Sequence, residues 1–322
     1  MKSRILHILK NNSDYVSGEE LSRLLGVSRT AIWKHIAHLR ADGYLIESVT
    51  KKGHLLLSSP EVVYGEEVSY GLASEFVGRP IIFKDKVDST NNVAKKYADE
   101  GCLEGLTVIA EEQTGGKGRI SRIWQSPFGV GVWMSIVLRP KEEPTMAPQL
   151  ALLAAAAVAD GIFLYTGLQA EIKWPNDILV KGKKVCGILT ELKADMEYIH
   201  YCVIGIGVNV NTPKDSFPTD LLYKAASLTM FTGEKIKRAG LVRAILQALE
   251  NLYIRWQKEG FEPIRKIWLE KSCTLNHNIT VNTPGGAIIE GIAKDIDESG
   301  ALIIEQDGLL KKITAGDVHL VS

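Results

Sequence analysis

An α+β chain of three parts is predicted: an N-terminal winged helix-turn-helix, a central domain on a mixed sheet, and a small C-terminal SH3-like β-barrel. Three observations point there. The first sixty residues combine helical periodicity with a hairpin and excess cations, residues 81 to 271 alternate strands with helices, and short strands separated by turn residues follow Cys273. The expected boundaries are 1–62, 63–272 and 273–322. A length of 322 residues exceeds what one core usually carries. With 45% hydrophobic and 24% charged residues, the composition excludes a disordered, collagenous or coiled-coil chain.

In the first part, Ile5, Ile8 and Leu9 mark one helix. Ser17-Gly18-Glu19-Glu20 is a capping box for a second, with Leu21, Leu24 and Leu25 as its apolar face. Gly26 permits a turn and Ser28 caps a third helix, in which Ile32, Ile36 and Leu39 recur at helical spacing. Arg29, Thr30, Trp33 and Lys34 then point outward. Tyr44 to Val49 and His54 to Leu57 flank Lys51-Lys52-Gly53, a hairpin with a basic tip that reads as a wing. Residues 1 to 60 hold nine Lys/Arg against five Asp/Glu, an excess of four positive charges that the rest of the chain offsets, since 38 cations and 38 anions balance over the whole. A basic domain beside an acidic one is the footprint of a protein that reads nucleic acid with one part only. Arg29, Thr30, Trp33, Lys34, Lys51 and Lys52 are the candidate DNA contacts, against the alternative of a three-helix packing module with solvated charges. His35 and His38, one turn apart, lack the carboxylate or thiolate partners of a metal site.

After Ser58-Ser59-Pro60 the material changes. Strands are expected to Val87, over Leu106–Glu111 and Val130–Leu138, near Ile172, and over Asp177–Val180, Val185–Leu192 and Tyr198–Val210. Helices are expected from Thr90 to Glu100, along the Ala-rich run from Met146 to Tyr165, and over Arg238–Gly260 and Pro263–Lys271. The Ala-rich run contains Gln149 and Asp160, which suits a buried helix better than a membrane span. Cys102, Cys186, Cys202 and Cys273 form no C-x-x-C pair, so neither a disulfide framework nor a zinc knuckle is indicated and a reducing cytoplasm is expected.

Several common sites are absent from the sequence. Gly205-Ile206-Gly207-Val208-Asn209-Val210 begins like a dinucleotide fingerprint but has Val210 where the third glycine belongs, inside an expected strand. No P-loop, G-x-S-x-G elbow or H-E-x-x-H occurs. What remains is Gln113-Thr114-Gly115-Gly116-Lys117-Gly118-Arg119-Ile120-Ser121-Arg122. Its glycines can present backbone N–H groups while its cations neutralise phosphate or carboxylate. Lys173-Trp174-Pro175-Asn176-Asp177 and Lys183-Lys184-Val185-Cys186-Gly187 form a second cluster, in which Pro175 should hold Trp174 extended.

Together with Asp88-Ser89-Thr90-Asn91, Trp124 and Gly205-Ile206-Gly207-Val208-Asn209, these runs resemble the biotin protein ligases. With the helix-turn-helix, the chain resembles their bifunctional, biotin operon repressor type. The resemblance covers essentially the whole chain and implies a biotin/lipoate ligase-like catalytic domain with the SH3-like C-terminal domain of the family. It implies ATP, Mg²⁺ and biotin as reactants, a biotinyl-5′-adenylate intermediate, and transfer to a lysine of a biotin carboxyl carrier protein of acetyl-CoA carboxylase or pyruvate carboxylase. It further implies operator DNA bound through residues 1–62, a homodimer when adenylate is bound, no membrane partner and no protein-held metal. By resemblance, Lys184 and Arg119 are catalytic, and biotin is held by Ser89, Thr90, Asn91, Gln113, Lys117, Gly118, Arg119, Trp124 and Lys184. Arg119, Arg122, Asn176, Asn209, Ala226 and Ser227 are expected near the nucleotide. Asp177 either orients Lys184 or takes a direct part, and Cys186 is packing. Two departures stand out: Lys117 replaces the usual arginine, exchanging a fork for a point charge, and Ala226 replaces a threonine. A non-catalytic biotin-sensing transcription factor and a lipoate-type ligase remain alternatives. Intact Lys184 and Arg119 disfavour the first, and the polar Ser89, Thr90, Asn91 and Gln113 disfavour the second.

Overall fold

Helix capping decides the first elements. Ser17 Oγ accepts the Glu20 N–H at 3.0 Å and Ser28 Oγ accepts that of Ala31 at 3.2 Å, starting the second and third helices, while Gly26 at φ 68° ends the second in the left-handed region. A computed structural model of the chain describes every residue except Ser121, Asp220 and Ser322. Ser121 of the glycine-rich loop therefore lies outside the described residues. Two units are distinguished, Met1–Leu72 and Ala73–Ser322.

The first unit runs α1 (Lys2–Lys10), α2 (Gly18–Leu25), α3 (Arg29–Ala41), β1 (Leu45–Val49), β2 (Gly53–Ser58) and α4 (Gly65–Ser69). Strands β1 and β2 form an antiparallel hairpin. Ile5, Leu6, Leu21, Ile32, Ile36 and Leu39 fill its core. Leu24, expected on the buried face, is 47% exposed. On a helix that packs through Leu21 and Leu25, one turn apart, Leu24 falls beside the contact stripe. Short α4 had no periodicity to announce it; Lys10 pairs with Glu67 across 2.7 Å and ties it to α1.

The second unit comprises β3 (Ile81–Val87), α5 (Thr90–Asp99), β4 (Thr107–Gln113), β5 (Gly131–Leu138), α6 (Ala147–Thr166), β6 (Glu171–Lys173), β7 (Asp177–Val180), β8 (Lys183–Ala194), β9 (Ile199–Asn209), α7 (Thr229–Thr232), α8 (Arg238–Glu259), α9 (Glu262–Lys271), β10 (Asn278–Asn282), β11 (Ile288–Ile296), β12 (Leu302–Gln306), β13 (Leu309–Ile313) and β14 (Asp317–Leu320). Seven strands pair in the order β3-β4-β5-β9-β8-β7-β6, parallel between β3 and β4 and antiparallel elsewhere, a mixed sheet. Every residue of β5 is buried, as expected of a strand near the sheet centre. Helix α6 is long and apolar enough to cross a membrane, but Leu150 and the run Leu152–Ala159 are buried among the sheet and α8.

The last five strands form an antiparallel sheet in the order β13-β12-β11-β10-β14. It is tied to the rest of the unit by Arg265 on α9, which bonds Asp295 and the Ile296 carbonyl, and by the Trp174 indole N–H donating to the Gly300 carbonyl at 3.2 Å.

Candidate active site and nucleic-acid interface

Strand order turns separate sequence runs into one surface. Gly207 on β9 is paired with Gly187 on β8 and with Trp133 on β5, while Gly205 is paired with Leu189 and Ser135. Without side chains, these glycines let other groups lie against the sheet. A Cβ on Gly207 would come 2.4 Å from Trp124 Nε1, one on Gly187 3.0 Å from Trp124 Cζ3, and one on Gly205 2.2 Å from Asn91 Oδ1. Trp124 and Asn91 therefore both rest on a glycine floor.

The polar end is built on the start of α5. Gln113 Oε1 accepts the Thr90 N–H at 2.8 Å and the Thr90 hydroxyl at 3.1 Å, and Gln113 Nε2 donates to Ser126 Oγ. Ser135 Oγ lies within 2.7 Å of Thr90 Oγ1 and 2.5 Å of Asn91 Oδ1. Asn91 Nδ2 donates to Glu191, which also takes the Lys95 ammonium. Burial opposes the charge on Glu191, but hydrogen bonds from Lys95 and Asn91 outweigh it and hold its carboxyl below the ordinary carboxylate value. Ser89, Thr90 and Asn91 are all buried.

The cationic end gathers at the tips of β7, β8 and β9. Lys184 Nζ lies 2.6 Å from Asp177 and 5.3 Å from the centre of the Trp124 ring. Lys184 also bridges the 224–226 segment through its backbone, accepting from the Ala226 N–H, while Leu228 N–H reaches the Asn209 carbonyl. Lys184, Asn209, Ala226 and Ser227 are thereby brought together. Ser227 is fully buried. Among the described residues its hydroxyl finds no hydrogen-bond partner.

The glycine-rich loop crosses this surface. Gly116 takes the Trp124 N–H on its carbonyl, and the Gly118 N–H donates to Arg122. Arg119 reaches Asn176 Oδ1 and the Gly316 carbonyl, each at 3.2 Å, and lies 3.9 Å from Asp317; Arg122 meets Asp317 at 2.5 Å. Burial lowers the pKa of Arg119, with Asp317 and Asp177 opposing that shift. Asn176 is committed on both sides, since its Nδ2 donates to the Ile188 carbonyl. Lys117 donates to Asn92 rather than to any residue singled out from the sequence. A cavity of about 170 Å³ lies here, lined by Arg119, Trp174, Asn176, Leu189 and Thr190 among others. A larger recess of about 730 Å³ lies under α9 between Arg265–Asp295 and Lys312–Asp297, away from these groups.

Sequence reasoning missed the holders: Asn92, Lys95, Ser126, Ser135, Gly316 and Asp317. Glu191 did carry a signal, as the last residue of the family-like run Lys184-Val185-Cys186-Gly187-Ile188-Leu189-Thr190-Glu191. Cys186 is buried and its thiol is pushed up by burial, consistent with packing.

In the first unit, Arg29, Thr30, Trp33 and Lys34 are exposed along one side of α3, and Lys51 and Lys52 are exposed at the hairpin tip. Lys52 Nζ stands 5.6 Å from the centre of the Tyr15 ring, whose hydroxyl donates to Glu47. His35 and His38 meet edge to face at 6.5 Å.

Comparison with known proteins places these features in context. Residues 84–209 match the biotin/lipoate A/B protein ligase family, residues 2–55 a helix-turn-helix domain, and residues 274–321 the biotin protein ligase C-terminal domain. The chain is 42% identical to the bifunctional ligase/repressor BirA of Bacillus subtilis, over 96% of this chain and 94% of that protein. It is 29% identical to the Escherichia coli protein of the same name, over 97% and 94%. Among solved structures, the Aquifex aeolicus biotin protein ligase in complex with biotin and ATP superposes with a TM-score of 0.65 at 26% identity, over 76% of this chain and 99% of that one.

Proposed function

We propose, for a chain that belongs to the biotin/lipoate A/B protein ligase family and to its bifunctional ligase/repressor branch, a division of labour along the chain. It is an ATP-dependent biotin protein ligase and a DNA-binding repressor. Residues 1–62 read the operator, residues 63–272 carry the chemistry, and residues 273–322 support the adenylate loop. The protein works in the cytoplasm, where ATP and DNA are at hand.

A carboxylate is a poor electrophile, so one biotin carboxylate oxygen attacks the α-phosphorus of ATP, forming an O–P bond as pyrophosphate departs. A carrier lysine, as its neutral amine, then attacks the acyl carbon; AMP leaves with the bonding pair and the amine loses a proton. The first step presses two anions together, and placed cations at their meeting point stabilise it most. Lys184 is that cation, and Asp177 positions it. Arg119 closes over the phosphate, with Asn176 as its positioning residue and Arg122 behind it. Lys117 and Gly118 contribute chiefly loop backbone, which is why lysine is tolerated at 117. Ser89, Thr90, Asn91 and Gln113 hold the ureido ring, and Trp124 forms the apolar wall on the glycine floor. Asn209, Ala226 and Ser227 border the nucleotide. Among the described residues no three His, Cys, Asp or Glu side chains are placed to hold a metal. Mg²⁺ would arrive as MgATP, carried chiefly by phosphate and water.

The observation that carries this reading is Trp124 lying over Gly187 and Gly207 with Lys184 5.3 Å from its ring and 2.6 Å from Asp177, while Arg119 bonds the adjacent Asn176. The acceptor is a carrier subunit of acetyl-CoA carboxylase or pyruvate carboxylase, and the adenylate-bound form pairs as a two-fold dimer on a palindromic operator. Pyrophosphate exchange in the presence of biotin or lipoate tests the acid. Exchange with biotin alone, followed by labelling of a carrier domain, is expected; exchange with lipoate alone would overturn the biotin assignment.

A further inference from the structure

Helix α3 leaves its largest apolar side chain in water. Trp33 is 64% exposed, whereas Ile32, Ile36 and Leu39 on the same helix are at most 1% exposed. Among the described residues the Trp33 side chain has no hydrogen bond, ion pair or ring contact. It is therefore not a core residue that lost its place, because the packing stripe of α3 is complete without it.

Its neighbours say what could cover it. Arg29 and Thr30 lie one turn earlier and Lys34 beside it, all exposed, and Lys51 and Lys52 are exposed at the hairpin tip of the same unit. Three exposed groups beside the indole on α3, two of them cations, together with the two exposed lysines of the hairpin tip, favour a polyanion over an apolar protein surface. Phosphate contacts alone would need only Lys and Arg. The major groove, however, presents one apolar group among its hydrogen-bonding edges, the C5-methyl of thymine. An indole is the side chain that offers the most apolar face to such a group.

We propose that Trp33 is the thymine-reading residue of the DNA-binding unit, packing its exposed indole against thymine methyl groups in the major groove. The inference rests on the DNA-binding reading and adds to it what that helix recognises. Arg29 at the N-terminal end of α3 supplies the hydrogen-bonding readout beside it, and Lys34 takes backbone phosphate.

The test uses the full chain with biotin and MgATP. A random duplex pool is selected for binding, and each thymine of the tightest duplex is replaced in turn by deoxyuridine, which keeps base pairing and removes only the methyl. Wild type should lose about fourfold in affinity at one or two thymines of each half-site, the effect of losing one buried methyl-sized group. Trp33→Ala should bind the thymine duplex more weakly, lose nothing further at those positions, and unfold at the wild-type temperature because the side chain is exposed. Indifference of wild type to every deoxyuridine, or a full deoxyuridine penalty retained in Trp33→Ala, overturns the assignment while leaving DNA binding intact. Failure of wild type to enrich any duplex overturns both.

Discussion

Gly207→Ala adds one methyl group directly beneath the Trp124 indole. Its Cβ would lie 2.4 Å from Trp124 Nε1, 2.7 Å from Cε2 and 3.1 Å from Cδ1. An ordinary carbon contact needs roughly 3.5 Å or more, so something must move by about 1 Å. The strand cannot supply the movement, because Gly207 is paired on both sides, with Trp133 and with Gly187. Trp124 must therefore lift from the floor, taking with it the face that stands 5.3 Å from Lys184. Overpacking of this kind costs about 1–3 kcal/mol, which corresponds to roughly 5- to 150-fold in biotin affinity if Trp124 walls the pocket. Calorimetric titration with biotin measures it, and a double-mutant cycle assigns it: in a Trp124→Ala background the same Gly207→Ala change should cost little. Wild-type affinity in Gly207→Ala, or an undiminished loss in the Trp124→Ala background, would refute the reasoning.

Arg238→Met should destabilise the protein by about 3–5 kcal/mol in urea unfolding, because Arg238 and Glu111 are 3% and 0% exposed and their 2.9 Å pair would leave a buried carboxylate behind; a loss under 1 kcal/mol would contradict this. Glu191 titrates below its ordinary value in the folded state, so its charge contributes stability that is present above the unfolded carboxylate pKa and lost as pH falls through the folded one. The stability gap between wild type and Glu191→Gln should thus be full near neutrality and close in acid, and a gap that widens in acid would reverse the sign. Lys51→Ala with Lys52→Ala should weaken binding to all duplexes alike and reduce the salt slope by about 2; a sequence-selective loss would mean that the wing reads bases.

Much of the fold was legible because its signals are local. The capping serines, the alternation of elements and the largely apolar β5 each depend on a few neighbouring residues. Elements that depend on distant partners escaped. Strand β14 is four residues long and exists because Asn282 and Val281 pair with Asp317 and Val318, some 35 positions on. The site behaved in the same way. Runs around Ser89, Gln113, Lys173 and Gly205 could be singled out by residue type, but the groups that hold them could not. Asp317 meets Arg122, and Ser135 meets Asn91, only through tertiary approach. Leu24 shows the limit of periodicity, which gives the spacing of a stripe and not which of two neighbours lies at its edge. The glycines show its opposite: Gly205 and Gly207 look like part of a nucleotide fingerprint, and only the strand order reveals them as the floor beneath Asn91 and Trp124.

Biotin-dependent exchange of pyrophosphate into ATP, measured on wild type and Lys184→Ala, bears most directly on Lys184 as the cation between carboxylate and phosphate. The expected result is rapid exchange by wild type and loss of at least a hundredfold in the variant, the scale of removing one preorganised charge from a transition state, with biotin still bound by both. Exchange at the wild-type rate in a folded Lys184→Ala protein would contradict it.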